Sequence, residues 1–165
     1  MTESYPVQSE VSDLIPELSL WNDGAGIDPE SWICCSGNYE LAIGYSFLFW
    51  PSFILIDDYV VRQGTTKEDI QEWEHALANE KGMSQEAKRE SIEAVLNHIH
   101  LTDIHPEDSN PTEAQLRYLG NVLKQIYSVK LQADFPDRRF VVDFSEPPVT
   151  ELRDYQLTFW QKRKE

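Results

Sequence analysis

Basic residues are missing from the first third of this chain. Among its 165 residues, 29 are Asp or Glu and 14 are Lys or Arg, and the first base is Arg62. Residues 1–61 contain ten acids and therefore contribute −10 to the net charge of −15. Binding to nucleic acid phosphates requires Lys or Arg to displace counterions, and an acidic surface repels a polyanion. We therefore predict that the protein does not bind nucleic acid.

Long apolar runs are also lacking. The densest one, residues 41–56, is interrupted by Gly44, Ser46 and Pro51, and it is shorter than the roughly 20 residues that span a bilayer. The N-terminus is acidic and polar, without the basic and apolar segments of a secretion signal. These features predict no membrane association and a cytoplasmic location.

Cysteines and nucleotide-binding motifs are scarce. The two cysteines, Cys34 and Cys35, are adjacent, and neighbouring cysteines form a disulfide only with strain. Reduced thiols are the simpler interpretation, and they fit a reducing compartment. The sequence has neither a P-loop nor the glycine pattern of a dinucleotide fold. No cofactor is predicted.

The composition is nevertheless that of a folded protein. Hydrophobic residues make up 41% of the chain, and nineteen residues are aromatic, which is too apolar for a disordered chain. The length favours one domain. We expect residues 1–13 to be a flexible leader and residues 14–165 to be a single domain. Because large apolar side chains are usually buried, most of the ten aromatic residues in 1–61 are expected in the core.

Local signals place the first elements. Asp28 followed by Pro29 is typical of a helix start, and predicts a helix over 29–35. Residues 38–50 fit either an apolar helix or a strand buried on both faces, and we favour the helix. The β-rich residues 53–62, with Asp57-Asp58 as a two-residue turn, predict a hairpin.

Three helices and two strands are predicted to follow. Each helix begins at a capping residue, and the strands come together at the end of the chain. The predicted helix starts are Thr65 with Glu68, Ser84, and Thr112 with Gln115. The first of these helices is predicted to end at Gly82, and the last to cover residues 113–134. The two strands are predicted over residues 140–144 and 155–160. Strands that are grouped rather than alternating with helices predict an α+β fold, with a mainly antiparallel sheet of about four strands packed against three to five helices.

A histidine-rich run is the best candidate for chemistry. His98, His100, Asp103 and His105 lie within eight residues, and imidazole and carboxylate groups suit zinc, iron or manganese. The run resembles the His-x-His-x-Asp-His signature of metallo-β-lactamase-like hydrolases, although it carries an insertion and follows a predicted helix. These departures mean that the family's activity is not carried over to this chain. The four residues themselves support one hypothesis, a metal-dependent hydrolase that uses them as ligands. The alternative is that His98 and His100 close that helix, where cations meet the negative end of its dipole.

Four further stretches resemble a group of small bacterial proteins without an assigned function, over about residues 20–161. They are residues 48–51 (LFWP), 116–120 (LRYLG), 134–140 (DFPDRRF) and 157–161 (LTFWQ). The resemblance implies a bacterial soluble domain and no particular activity.

The base-free segment suggests a function of another class. Acids mixed with aromatic residues suit contact with a basic protein, because charge steers the encounter and aromatic rings supply contact area. This predicts a non-enzymatic binding module, such as an inhibitor, an immunity-type protein or an adaptor. The candidate contact residues are Trp21, Asp23, Asp28, Glu30, Asp57 and Asp58.

Overall fold

The computed structural model divides the chain into two compact units. It describes residues 8–24, 27–106, 109–146 and 152–163. The leading unit comprises residues 1–46 and the trailing unit residues 47–165. The expected organisation, a flexible leader over residues 1–13 and a single domain over 14–165, stays a prediction. Residues 1–7 of that leader lie outside the described residues.

The leading unit is built from short helices. Helix α1 covers Gln8–Leu14, and a 3-10 segment with a kink near its end covers Pro16–Gly24. Helix α2 covers Pro29–Ser36, and its Asp28 cap accepts a hydrogen bond from the Ser31 amide. Helix α3 covers Tyr39–Phe49 and crosses into the trailing unit. The predicted helices over 29–35 and 38–50 are confirmed.

The trailing unit begins with the predicted hairpin. Strands β1 (Phe53–Ile56) and β2 (Tyr59–Arg62) pair antiparallel. The turn residues Asp57 and Asp58 have φ angles of 47° and 72°. Both central residues of this tight turn need positive φ, which Asp tolerates better than most residues.

The three predicted helices are present, with one shifted start. Helix α4 covers Lys67–Leu77, helix α5 Gln85–Leu96 and helix α6 Glu113–Asp134. The capping box of α4 is formed by Thr66 and Asp69, one residue after the predicted pair. Asp69 makes this shift possible, because its carboxylate accepts a hydrogen bond from the Thr66 amide at 2.8 Å. Helix α4 also ends at Leu77, before the predicted stop at Gly82.

A three-stranded antiparallel sheet completes the α+β fold. Its order is β3 (Ile99–His100), β5 (Gln156–Gln161) and β4 (Phe140–Ser145). The described strands therefore number five in two sheets. The expectation that His98 and His100 close a helix holds for His98, whose Nδ1 atom contacts the Val95 carbonyl in the last turn of α5, and was wrong for His100. Helix α5 ends at Leu96, and His100 pairs with Gln156 of β5.

The main core lies between α6 and the β4–β5 pair. Leu123, Tyr127 and Leu131 of α6 are buried together with Leu157 and Phe159 of β5. Burial raises the pKa of Tyr127 to about 12. A smaller core cluster joins the hairpin to α4 and α5.

Two buried polar side chains, Glu93 of α5 and Asn97 at the C-terminal cap of that helix, join the hairpin to β5. The Glu93 carboxylate accepts hydrogen bonds from the amides of Val60 and Gln161 at 2.8 and 2.6 Å, and it pairs with Arg163 at 3.1 Å. One turn later, the Asn97 amide group donates to the carbonyls of Val60 and Phe159. Both side chains are fully buried. Local sequence signals for α5 did not reveal this role.

Gly120 lets α6 approach β4 closely. A Cβ atom at this position would lie 2.2 Å from the Phe144 ring. We predict that Gly120→Ala lowers the free energy of unfolding by about 1–2 kcal/mol, because overpacking outweighs the gain in helix propensity. Thermal unfolding measures the effect. Gly44→Ala in α3 is the control, because in the described structure no atom other than those of its chain neighbours and its own helix backbone lies within 4 Å of its Cβ position. Equal or greater stability of the Gly120 variant would contradict this packing.

Candidate functional site

The leading unit combines exposed acids with little buried surface. Its 46 residues contain eight acids and no Lys or Arg. Six of these acids have described side chains and all six are exposed: Asp13, Glu17, Asp23, Asp28, Glu30 and Glu40. Among the described side chains of residues 11–46, only Leu18 is buried. The six described acids of the unit therefore face solvent, and its sequence contains no Lys or Arg to neutralise them.

Trp21 and Asp28 line the same shallow cavity. The backbone is kinked at Asn22 and Asp23, which have φ angles of 56° and 55°. Trp21, Asn22, Asp28 and Ser31 enclose a volume of about 410 Å³. The structure thus brings together two of the predicted contact residues. Asp23 belongs to the kink itself, and Glu30 lies in the first turn of α2.

Hydrogen bonds fix the acidic end of α2. The Asp28 carboxylate accepts hydrogen bonds from the Ser31 hydroxyl at 2.6 Å and the Ser31 amide at 3.1 Å. These bonds favour the ionised carboxylate and lower the pKa of Asp28. Glu17 accepts a hydrogen bond from the Trp32 indole at 3.0 Å. The 3-10 segment and α2 are thereby joined within the leading unit.

Asp57 and Asp58 have a different role from the other predicted contact residues. Asp57 pairs with Lys67 at 2.5 Å, and Asp58 pairs with Arg138 at 2.7 Å and Arg89 at 3.2 Å. Both belong to the trailing unit. Their charges are compensated by cations that hold the hairpin turn. We therefore leave them out of the candidate contact surface.

The four residues of the predicted metal site do not form one cluster. The His98 Nδ1 atom contacts the Val95 carbonyl, and the His100 Nδ1 atom lies 2.9 Å from the Arg153 carbonyl. His100 and Asp103 line a cavity of about 410 Å³. Within the described part of the chain, no three His, Cys, Asp or Glu side chains are grouped to hold a metal ion. This geometry gives the hydrolase hypothesis no support.

A larger open cavity of about 1000 Å³ lies between the start of α5 and the ends of β4 and β5. Its lining mixes bases with acids. Arg138 and Arg163, two of these bases, bind Asp58 and Glu93. The charges of Arg138 and Arg163 therefore contribute to the fold.

The expectation that most leading aromatic residues are buried was wrong. Of the nine described between residues 8 and 61, only Phe53 and Tyr59 are buried. Tyr39 and Phe47 of α3 are 86% and 73% exposed, and Ile43 of the same helix is 59% exposed. The sequence reasoning missed these contact candidates. The sequence feature that could have indicated them is that α3 is apolar around its whole circumference. Such a helix is typically covered by other protein surface.

Two further predictions concern the cysteines and membrane-spanning helices. Cys34 and Cys35 are both free and exposed, as the reduced-thiol interpretation expects. In the described residues, helices that combine the length and the apolarity needed to cross a membrane are absent.

Comparisons with known proteins assign no function to the candidate site, so its geometry is the basis for interpreting it. The chain matches no protein-family model, no curated protein and no solved structure.

Proposed function

We propose that this protein is a non-enzymatic binding module whose leading unit receives a basic protein. The observation that carries the proposal is the exposure of the leading unit: six acids face solvent, and Leu18 alone is buried among the side chains of this unit that the structure describes. Base-free acidic surface accelerates the approach of a cationic partner. Exposed aromatic and aliphatic groups then supply contact area. An inhibitor, an immunity-type protein or an adaptor would work in this way.

We further propose a cellular location for this protein. Two exposed free thiols fit a reducing compartment, so we place the protein in the cytoplasm. Its net charge of −15 opposes binding to nucleic acid. The resemblance to small bacterial proteins is consistent with this setting.

The test uses a model for the basic partner. The probe is a peptide of about 18 residues made of Lys and Leu, with Leu at helical spacing. We expect it to bind the full chain in fluorescence anisotropy, and to bind more weakly as salt rises from about 0.05 M to about 0.5 M. Absence of binding, or binding that ignores salt, would contradict the proposal.

Charge-neutralising variants locate the binding surface. We predict that combining Asp23→Asn, Asp28→Asn and Glu30→Gln weakens peptide binding about tenfold, since each exposed charge contributes a few tenths to one kcal/mol. Asn caps a helix as well as Asp does, so α2 is retained. The control combines Glu68→Gln, Glu72→Gln and Glu80→Gln in the trailing unit. This set changes the net charge of the protein by the same amount as the first set. Equal weakening by both sets would contradict a role for the leading unit.

A further inference from the structure

Helix α3 carries a ridge of exposed apolar side chains. Tyr39 and Ile43 of the leading unit and Phe47, the first residue of the trailing unit, follow one another at four-residue spacing on this continuous helix. They therefore lie along one side of it. They are 86%, 59% and 73% exposed. Together they present on the order of 400 Å² of apolar surface, comparable to the largest patch of an ordinary monomer. Patches of this size are typical of interaction sites.

The shape of this ridge suits another helix. Side chains four residues apart form the ridges that interdigitate when two helices pack. A partner helix would meet the ridge with apolar side chains at three- and four-residue spacing, the recurring mode by which amphipathic helices are recognised. An aromatic residue at either end of the ridge provides anchors of the kind that dominate binding energy.

Charge decides between the possible occupants. Glu40 lies on α3 beside Tyr39, and the leading unit as a whole carries eight acids without a base. A second copy would bring an equally charged unit to the ridge, and anionic lipid headgroups would also be repelled. A helix with Lys or Arg flanking its apolar face would be attracted.

We infer that the Tyr39–Ile43–Phe47 ridge is the docking surface for an amphipathic basic helix of the partner protein. This inference rests on the proposed function and specifies both the contact and the partner. The acids steer the partner, and the ridge holds it by burying apolar surface.

The test replaces the ridge without changing charge. Tyr39→Gln, Ile43→Gln and Phe47→Gln are combined in the full chain, because Gln is a good helix former. The control combines Tyr118→Gln, Val129→Gln and Trp73→Gln, which remove exposed apolar side chains from α6 and α4. We expect the ridge variant to bind the Lys/Leu peptide at least tenfold more weakly and the control to bind as the wild type does. Circular dichroism checks that α3 stays helical.

A second peptide separates this inference from the proposed function. It has the same composition, but its Leu residues are distributed around the helix. Preference of the wild type for the amphipathic peptide, lost in the ridge variant, supports the inference. If the ridge variant binds normally while the acid-neutralised variant does not, the ridge inference fails and the proposed function stands. If the wild type binds neither peptide, both fail. A dimer in sedimentation that dissociates in the ridge variant would overturn the inference in favour of a second copy.

Discussion

Replacing Glu93 by alanine is expected to lower the free energy of unfolding by about 3–5 kcal/mol, the range for removing one partner of a buried ion pair. The carboxylate is fully buried. It accepts hydrogen bonds from the Val60 and Gln161 amides and from both terminal nitrogens of Arg163. Glu93→Ala would leave two amides and a guanidinium without this acceptor. Because domains are typically stable by about 5–15 kcal/mol, this single change removes much of the stability.

Urea unfolding followed by tryptophan fluorescence measures the loss. The matched control is Glu72→Ala, which truncates an exposed glutamate of α4 and is expected to change stability by less than about 0.5 kcal/mol. If Glu93→Ala lowers stability by no more than its control, the carboxylate does not join the hairpin to β5.

Asn97→Asp is expected to cost about 3 kcal/mol at neutral pH. The side-chain nitrogen of Asn97 donates to the Val60 and Phe159 carbonyls at 2.9 and 3.3 Å, and its oxygen accepts from the Arg62 amide at 3.0 Å. The substitution preserves the shape of the side chain. It places a buried carboxylate oxygen against two carbonyl oxygens, where a donor is required.

The loss caused by Asn97→Asp should diminish in acid. Burial and the facing carbonyls raise the native-state pKa of the new carboxyl group above the unfolded value of about 3.9. The native state then binds the proton more tightly, so the variant gains stability as pH falls through the raised pKa towards 3.9. Urea unfolding between neutral and acidic pH, relative to the wild type, checks this. Asn121→Asp, at an exposed position of α6, should show no such gain. A pH-independent difference between the Asn97 variant and the wild type would contradict the assigned hydrogen bonds.

Elements with strong local signals were predictable from the sequence. Helix α2 begins at Pro29 after its cap Asp28, and helix α6 begins after its cap Thr112. Both starts are predictable because capping involves only residues within one turn. The hairpin follows likewise from two β-rich runs separated by Asp57 and Asp58. In each case, the determining contacts are a few residues apart.

Features that depend on distant residues were not predictable. Strand β3 has two residues, and it exists because β5, more than fifty residues later, pairs with it. The donors to Glu93 are separated from it by 33, 68 and 70 residues. The ion pairs of Asp57 and Asp58 also come from later parts of the chain, which the counting of charges in residues 1–61 could not show.

The candidate site likewise has one feature that the sequence predicts and one that only the structure shows. The absence of bases before Arg62 is a property of the sequence, and it already suggested a basic partner. The exposure of α3 could not be predicted, because an apolar helix is ordinarily expected in the core. Only the structure shows that Tyr39, Ile43 and Phe47 face solvent.

Hydrogen exchange of the full chain, with and without a saturating amount of the amphipathic Lys/Leu peptide, tests the central claim most directly. Binding to the leading unit predicts slower amide exchange in α2 and α3, with little change in α4, α5 and α6. Peptide saturation that slows exchange only in the trailing unit, or nowhere, would contradict the claim that the leading unit receives a basic partner.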